Sequence, residues 1–120
     1  MKVLIVDDSK AMRMIVMRTL RQAGFAGLDL EEAANGNEAL AKIQASAPDL
    51  ILSDWNMPEK SGLELLEALK AAGSTVKFGF VTSESTPAMK QKATDAGALF
   101  LITKPFTPDT FKETLGPYLS

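Results

Sequence analysis

Leu50-Ile51-Leu52-Ser53-Asp54 is three apolar residues, then a hydroxyl, then a carboxylate. The apolar run is too short for a helix, and it is apolar on both parities. That suits a parallel strand buried on both faces, with its polar end at the carboxyl edge of a sheet. The same pattern recurs outward along the chain. Val3–Val6 runs into Asp7-Asp8, Phe78–Val81 into Thr82-Ser83, and Leu99–Ile102 into Thr103-Lys104. Leu28–Ala33 interleaves polar residues and reads as an edge strand.

The segments between carry helical spacing and helix-end residues. Residues 9–23 place Met12, Ile15, Val16, Thr19 and Leu20 on one face, and Gly24 follows as a stop. Asn35 with Glu38 opens a second helix that Pro48 ends, and Ser61 with Glu64 forms a capping box for a third that Gly73 closes. Thr86-Pro87 and Thr107-Pro108 each set a capping hydroxyl before a first-turn proline, and Gly97 stops the fourth helix. The order is strand then helix, five times. It predicts an α/β fold: one doubly wound parallel sheet with right-handed crossovers and helices on both faces. No linker, repeat or low-complexity stretch interrupts residues 1–120, so one domain is expected.

Composition narrows the chemistry. The 120 residues are 46% hydrophobic and 23% charged, with no Cys and no His. Disulfides, thiolate or imidazole metal sites and Ser-His-Asp catalysis are thereby excluded. Chemistry must come from carboxylates, hydroxyls, Lys or Arg. A net charge of −2 argues against a nucleic-acid partner. The first residues do not read as a signal peptide, and no apolar run approaches the ~20 residues of a membrane helix. A cytoplasmic protein with no membrane association is expected.

In open α/β sheets the ligand crevice lies beyond the carboxyl ends of the strands. There this chain gathers Asp7, Asp8, Asp54, Thr82 and Lys104. Taken singly, each reads as a loop residue or cap: Asp8 as a cap of the first helix, Lys104 as a solvated side chain. Jointly they ask for a reason. Clustered carboxylates repel unless a cation joins them. Without His or Cys, that cation is hard and oxygen-liganded, and Mg²⁺ fits because it keeps waters and phosphate oxygens beside one or two carboxylates. A carboxylate beside such an ion can attack phosphorus and form an acyl phosphate, with the metal and an ammonium offsetting the transferred charge.

These residues resemble a known family. Val6-Asp7-Asp8, Ser53-Asp54-Trp55-Asn56-Met57-Pro58 with Gly62, Val81-Thr82 and Lys104-Pro105-Phe106 are similar to the receiver domain of two-component response regulators. The likeness is nearest to the stand-alone chemotaxis (CheY-like) type, and it covers essentially the whole chain. The resemblance implies a flavodoxin-like strand order 2-1-3-4-5 and a single receiver domain without an output domain. It implies Asp54 as phosphoacceptor and Mg²⁺ held by Asp7, Asp8, Asp54 and the backbone carbonyl of Asn56. It gives Thr82 and Lys104 the phosphoryl group to contact, and it makes the Lys104-Pro105 peptide cis. Asn56 and Glu84 stand where the family tunes dephosphorylation. The implied partners are a sensor histidine kinase, a downstream target such as a flagellar motor switch or another kinase, and a phosphatase. The target surface would be the fourth helix, fifth strand and fifth helix.

One position departs from the family. Three residues before the lysine, where Tyr or Phe is usual, stands Leu101; Phe100 is adjacent, but alternation turns it to the other face. Gly79, inside the fourth strand, has no evident reason in the sequence. Rival functions are weaker. A relay passing phosphate from Asp54 to a histidine phosphotransfer protein uses the same residues. A Mg²⁺-dependent phosphatase would want Asp where Asn56 stands. An FMN carrier would want a Ser/Thr/Gly phosphate loop where Asp7-Asp8 would repel phosphate.

Overall fold

The computed structural model describes residues 1–25 and 27–119. Val3, Leu4, Ile5 and Val6 are all buried, as are Leu50, Ile51 and Leu52, so neither strand has a wet face. These runs form the centre of a five-stranded parallel sheet: β1 Lys2–Val6, β2 Asp29–Ala33, β3 Leu50–Ser53, β4 Lys77–Thr82 and β5 Leu101–Thr103. Their order is β2-β1-β3-β4-β5, the one implied by the resemblance, with polar β2 at an edge. The helices are α1 Lys10–Gln22, α2 Gly36–Ala45, α3 Gly62–Ala71, α4 Pro87–Ala96 and α5 Pro108–Leu119.

Strand alternation divides the apolar residues between two cores. Val3, Ile5, Leu50, Leu52, Val81 and Ile102 face Val16 and Leu20 of α1 and Phe111 and Leu115 of α5. Leu4, Val6, Ile51, Phe78 and Phe80 face Ala39 and Ile43 of α2, Leu65, Leu66 and Leu69 of α3, and Ala93 of α4. Two helices therefore cover one face and three the other.

The helix ends follow the sequence closely. Asn35 accepts from the Glu38 amide at 2.8 Å, and Thr86 from the Met89 amide at 3.1 Å. Ser61 and Glu64 form the reciprocal box. Hydrogen bonding from the Ser61 backbone amide, and then from its side chain, holds the Glu64 carboxyl below its ordinary value. Gly97 ends α4 with φ of 100°, a left-handed conformation that costs a residue without Cβ little.

Two details differ from expectation or complete it. The cap of α1 is Ser9, not Asp8: its hydroxyl accepts from the Met12 amide at 3.2 Å, and Asp8 is left exposed at the rim. The last strand starts at Leu101, not Leu99. The Leu99 amide still bonds the Phe78 carbonyl, but its side chain lies 43% exposed at the base of the sheet. An apolar run marks burial only while helices cover it.

Gly79 also gains a reason. The Phe100 ring lies over it, and a Cβ there would meet ring carbons at 2.1 Å. Phe100 continues against Tyr118 of α5, with centroids 5.8 Å apart. The glycine is a notch that admits an aromatic ring onto the strand. Gly79→Ala is expected to lower stability by about 1–3 kcal/mol in urea unfolding, as overpacking does. In a Phe100→Leu background the same substitution should cost clearly less; an equal cost in both backgrounds would refute the notch.

Candidate functional site

The register brings the carboxylates together. Val6 pairs with Ser53, so Asp7 and Asp54 leave adjacent strands side by side. The Asp54 amide donates to the Val6 carbonyl at 2.8 Å, and the Asp7 amide to the Ala33 carbonyl at 3.1 Å. Further along the sheet, Thr82 pairs with Thr103, and the Lys104 amide donates to the Thr82 carbonyl at 2.7 Å. The Lys104-Pro105 peptide is cis. All the rim residues expected from the sequence therefore converge on one end of the sheet.

Asp7 is almost fully buried and fully engaged. One carboxylate oxygen accepts from the Ser9 amide at 2.9 Å and the other from Lys104 Nζ at 3.2 Å. The same ammonium lies 3.9 Å from Asp54 Oδ2, while Asp54 Oδ1 accepts from the Trp55 amide at 2.8 Å. Asp8 completes the set. Carboxylate oxygens of Asp7, Asp8 and Asp54 all lie within 4.8 Å of one another. Burial pushes the Asp54 carboxyl above its ordinary value; Asp7 and Asp8 push the same way, and Lys104 and the Trp55 amide pull it back. One lysine is short of balancing three carboxylates.

That donor set fits Mg²⁺. It is all hard oxygen, it carries an excess of negative charge, and one of its carboxylates faces solvent, which leaves room for retained waters. The Asn56 carbonyl accepts no hydrogen bond among the described residues. Thr82 is fully buried, with its hydroxyl 3.5 Å from the Glu84 amide. Asn56 and Glu84 are both exposed at the mouth.

Glycine and aromatic packing shape the wall. Gly62 comes so close that a Cβ would lie 2.1 Å from the Asp54 carbonyl oxygen, and its amide donates to the Trp55 carbonyl at 2.8 Å. Trp55 packs on Phe80 with centroids 4.7 Å apart. Leu101 is half-buried on the α4 side of the sheet and Phe100 packs with the α1/α5 core, as alternation requires. Both border a cavity of about 180 Å³ with Lys90, Ala93, Thr94 and Ala98. Sequence reading missed one site contact, the guanidinium of Arg13 on the Asp7 backbone carbonyl at 2.7 Å. Only its helical spacing from the Asp pair hints at it.

Residues 3–116 match the family described as the response regulator receiver domain. The chain belongs to that family. Chemotaxis protein CheY1 of Helicobacter pylori strain J99 is 41% identical over 118 residues, covering 96% of this chain and 94% of that one. Chemotaxis protein CheY-3 of Vibrio cholerae is 38% identical over 117 residues, covering 96% and 88%. The crystal structure of Vibrio cholerae CheY4 superposes with a TM-score of 0.86 at 40% identity, covering 98% of each chain. This receiver domain is thus of the CheY type, a two-component signalling fold, and no helix among its described residues is long and apolar enough to cross a membrane.

The Asp54 environment fixes a sign. In the folded receiver domain the carboxyl holds its proton more tightly than in the unfolded chain. Ionising it therefore costs stability above its folded pKa, and that cost vanishes below the unfolded value near 3.8. Without divalent cations, Asp54→Asn should raise Tm by a few degrees at pH 7, and the gap should close as pH falls through the carboxylate range. A gap that is absent at pH 7 or widens in acid would contradict this balance of charges.

Proposed function

We propose that this protein is a phosphorylation-activated switch of the chemotaxis type, working in the cytoplasm. The observation that carries the reading is the packing of Asp7, Asp8 and Asp54 within 4.8 Å beside the Lys104 ammonium. Its relatives of about 40% identity are named chemotaxis proteins, which supports the pathway.

In this reading Asp54 accepts a phosphoryl group from the phosphohistidine of a sensor kinase. Oδ2, which has no backbone donor, attacks phosphorus; the N–P bond breaks, and the imidazole nitrogen leaves with its electron pair. An acyl phosphate remains on Asp54. Asp7, Asp8, Asp54 and the Asn56 carbonyl would hold Mg²⁺, which when bound supplies charge neutralisation for the transferring phosphoryl oxygens. Lys104 already lies 3.9 Å from Oδ2 and pairs with the new dianion. Doing so draws it from Asp7, its present partner at 3.2 Å. The Thr82 hydroxyl sits on the neighbouring strand end and bonds a phosphoryl oxygen by moving inward. Both residues belong to the strands that carry α4 and α5, so their movement reaches the α4–β5–α5 surface where the target binds. Asn56 and Glu84 flank the path of the hydrolytic water and set the lifetime of the acyl phosphate.

Incubation with Mg²⁺ and acetyl phosphate should add the mass of one phosphoryl group, and Asp54→Asn or EDTA should abolish the gain. Uptake by Asp54→Asn would remove Asp54 as acceptor. Lys104→Ala should still be phosphorylated but bind its target at least tenfold more weakly than the phosphorylated parent; wild-type affinity would remove Lys104 from the switch.

A further inference from the structure

Arg13 breaks a local rule. It lies in the first turn of α1, where the helix dipole disfavours a cation, and that turn contains no acidic residue. Yet its side chain is only 13% exposed and is held at two points. Nη1 donates to the Asp7 carbonyl at 2.7 Å, and Nε donates to Glu32 Oε1 at 3.0 Å. Glu32 is itself fixed at the end of β2, where its carbonyl accepts from Lys42 Nζ. A residue placed against its helix dipole and locked from two strands has a task other than capping.

That task follows from the peptide plane. The Asp7 carbonyl and the Asp8 amide are one rigid unit. Asp7 is already secured at its amide by Ala33 and at its carboxylate by Ser9 and Lys104. The Asp8 carboxylate has no hydrogen bond among the described residues and is exposed. Its only anchor is the backbone from which its Cβ leaves. By gripping the Asp7 carbonyl, Arg13 sets that plane, and with it the direction in which Asp8 reaches the other two carboxylates. Glu32 keeps the guanidinium turned to the carbonyl and away from the Asp8 carboxylate, for which it would otherwise compete with a metal ion.

We infer that Arg13, oriented by Glu32, is a positioning residue that aims Asp8 into the metal-binding carboxylate cluster. This rests on the reading of Asp7, Asp8 and Asp54 as a Mg²⁺ site. The effect of removing Arg13 is then opposite in sign to that of plain electrostatics. A nearby cation that merely repelled Mg²⁺ would tighten binding when removed; a positioning residue weakens it.

The test is a MgCl₂ titration followed by Trp55 fluorescence, and in parallel by the Mg²⁺-induced rise in Tm, on the wild type, Arg13→Met and Arg13→Lys. Arg13→Met should bind Mg²⁺ about tenfold more weakly or worse, the usual effect of losing an outer-shell partner. Arg13→Lys keeps the charge and reaches only one of the two partners, so it should fall between Arg13→Met and the wild type. Equal or tighter binding by Arg13→Met would overturn the inference while leaving the metal site intact. If Arg13→Met does not fold, Arg13→Lys decides: weaker binding supports the role, and wild-type binding overturns it. A wild type that responds to Mg²⁺ in neither readout would overturn the metal-site reading and this inference with it.

Discussion

Carboxylate repulsion is the constraint on which the rest of this structure depends. At about 4 Å and an effective dielectric near 20, two like charges repel by about 4 kcal/mol. Here three carboxylates lie within 4.8 Å, one of them buried. Only a rigid frame holds such a group in place. The parallel ladders of β1 and β3 supply it by fixing Asp7 and Asp54 through backbone bonds that no side-chain charge can easily break. Lys104 relieves part of the repulsion. Gly62 lets the start of α3 pass close behind the Asp54 carbonyl without disturbing it. The central strands are buried on both faces, so the frame has two cores behind it rather than one.

Much of this was legible in the sequence because it rests on short-range rules. Val3–Val6 and Leu50–Leu52 are too short and too apolar to be anything but buried strands, and Ser61-Glu64 and Thr86-Pro87 announce helix starts. The convergence of Asp7, Asp8, Asp54, Thr82 and Lys104 followed from topology, since parallel strands put all their carboxyl ends on one side. What stayed hidden was side-chain reach across elements. Nothing local ties Arg13 to the Asp7 carbonyl, or Gly79 to the ring of Phe100 many residues later. The start of β5 was misread for a related reason. Leu99 is apolar like its neighbours, but tertiary cover and not composition decides burial, and Leu99 lies 43% exposed.

The departure at Leu101 has a structural counterpart. The aromatic ring here sits on Phe100, just before β5, in the α1/α5 core and against Tyr118, while the smaller Leu101 borders the α4 side. Bulk has been moved across the sheet, and Gly79 accommodates it. A leucine there offers neither a hydroxyl nor a flat ring. The α4 side of this region is therefore lined by aliphatic packing around the small cavity that Leu101 borders.

The ion pair between Lys104 and Asp7 joins residues 97 positions apart, the first strand to the loop after the last. Closing so long a loop is slow, and it pays only when every intervening unit is in place. The charge cluster is thus complete only when the first strand and the loop after the last stand at the same end of the sheet. A nascent or partly unfolded chain can own Asp54 and still lack the ammonium beside it. Only a chain folded end to end presents the complete charge arrangement, so the cluster reports on the whole fold and not on any one unit of it.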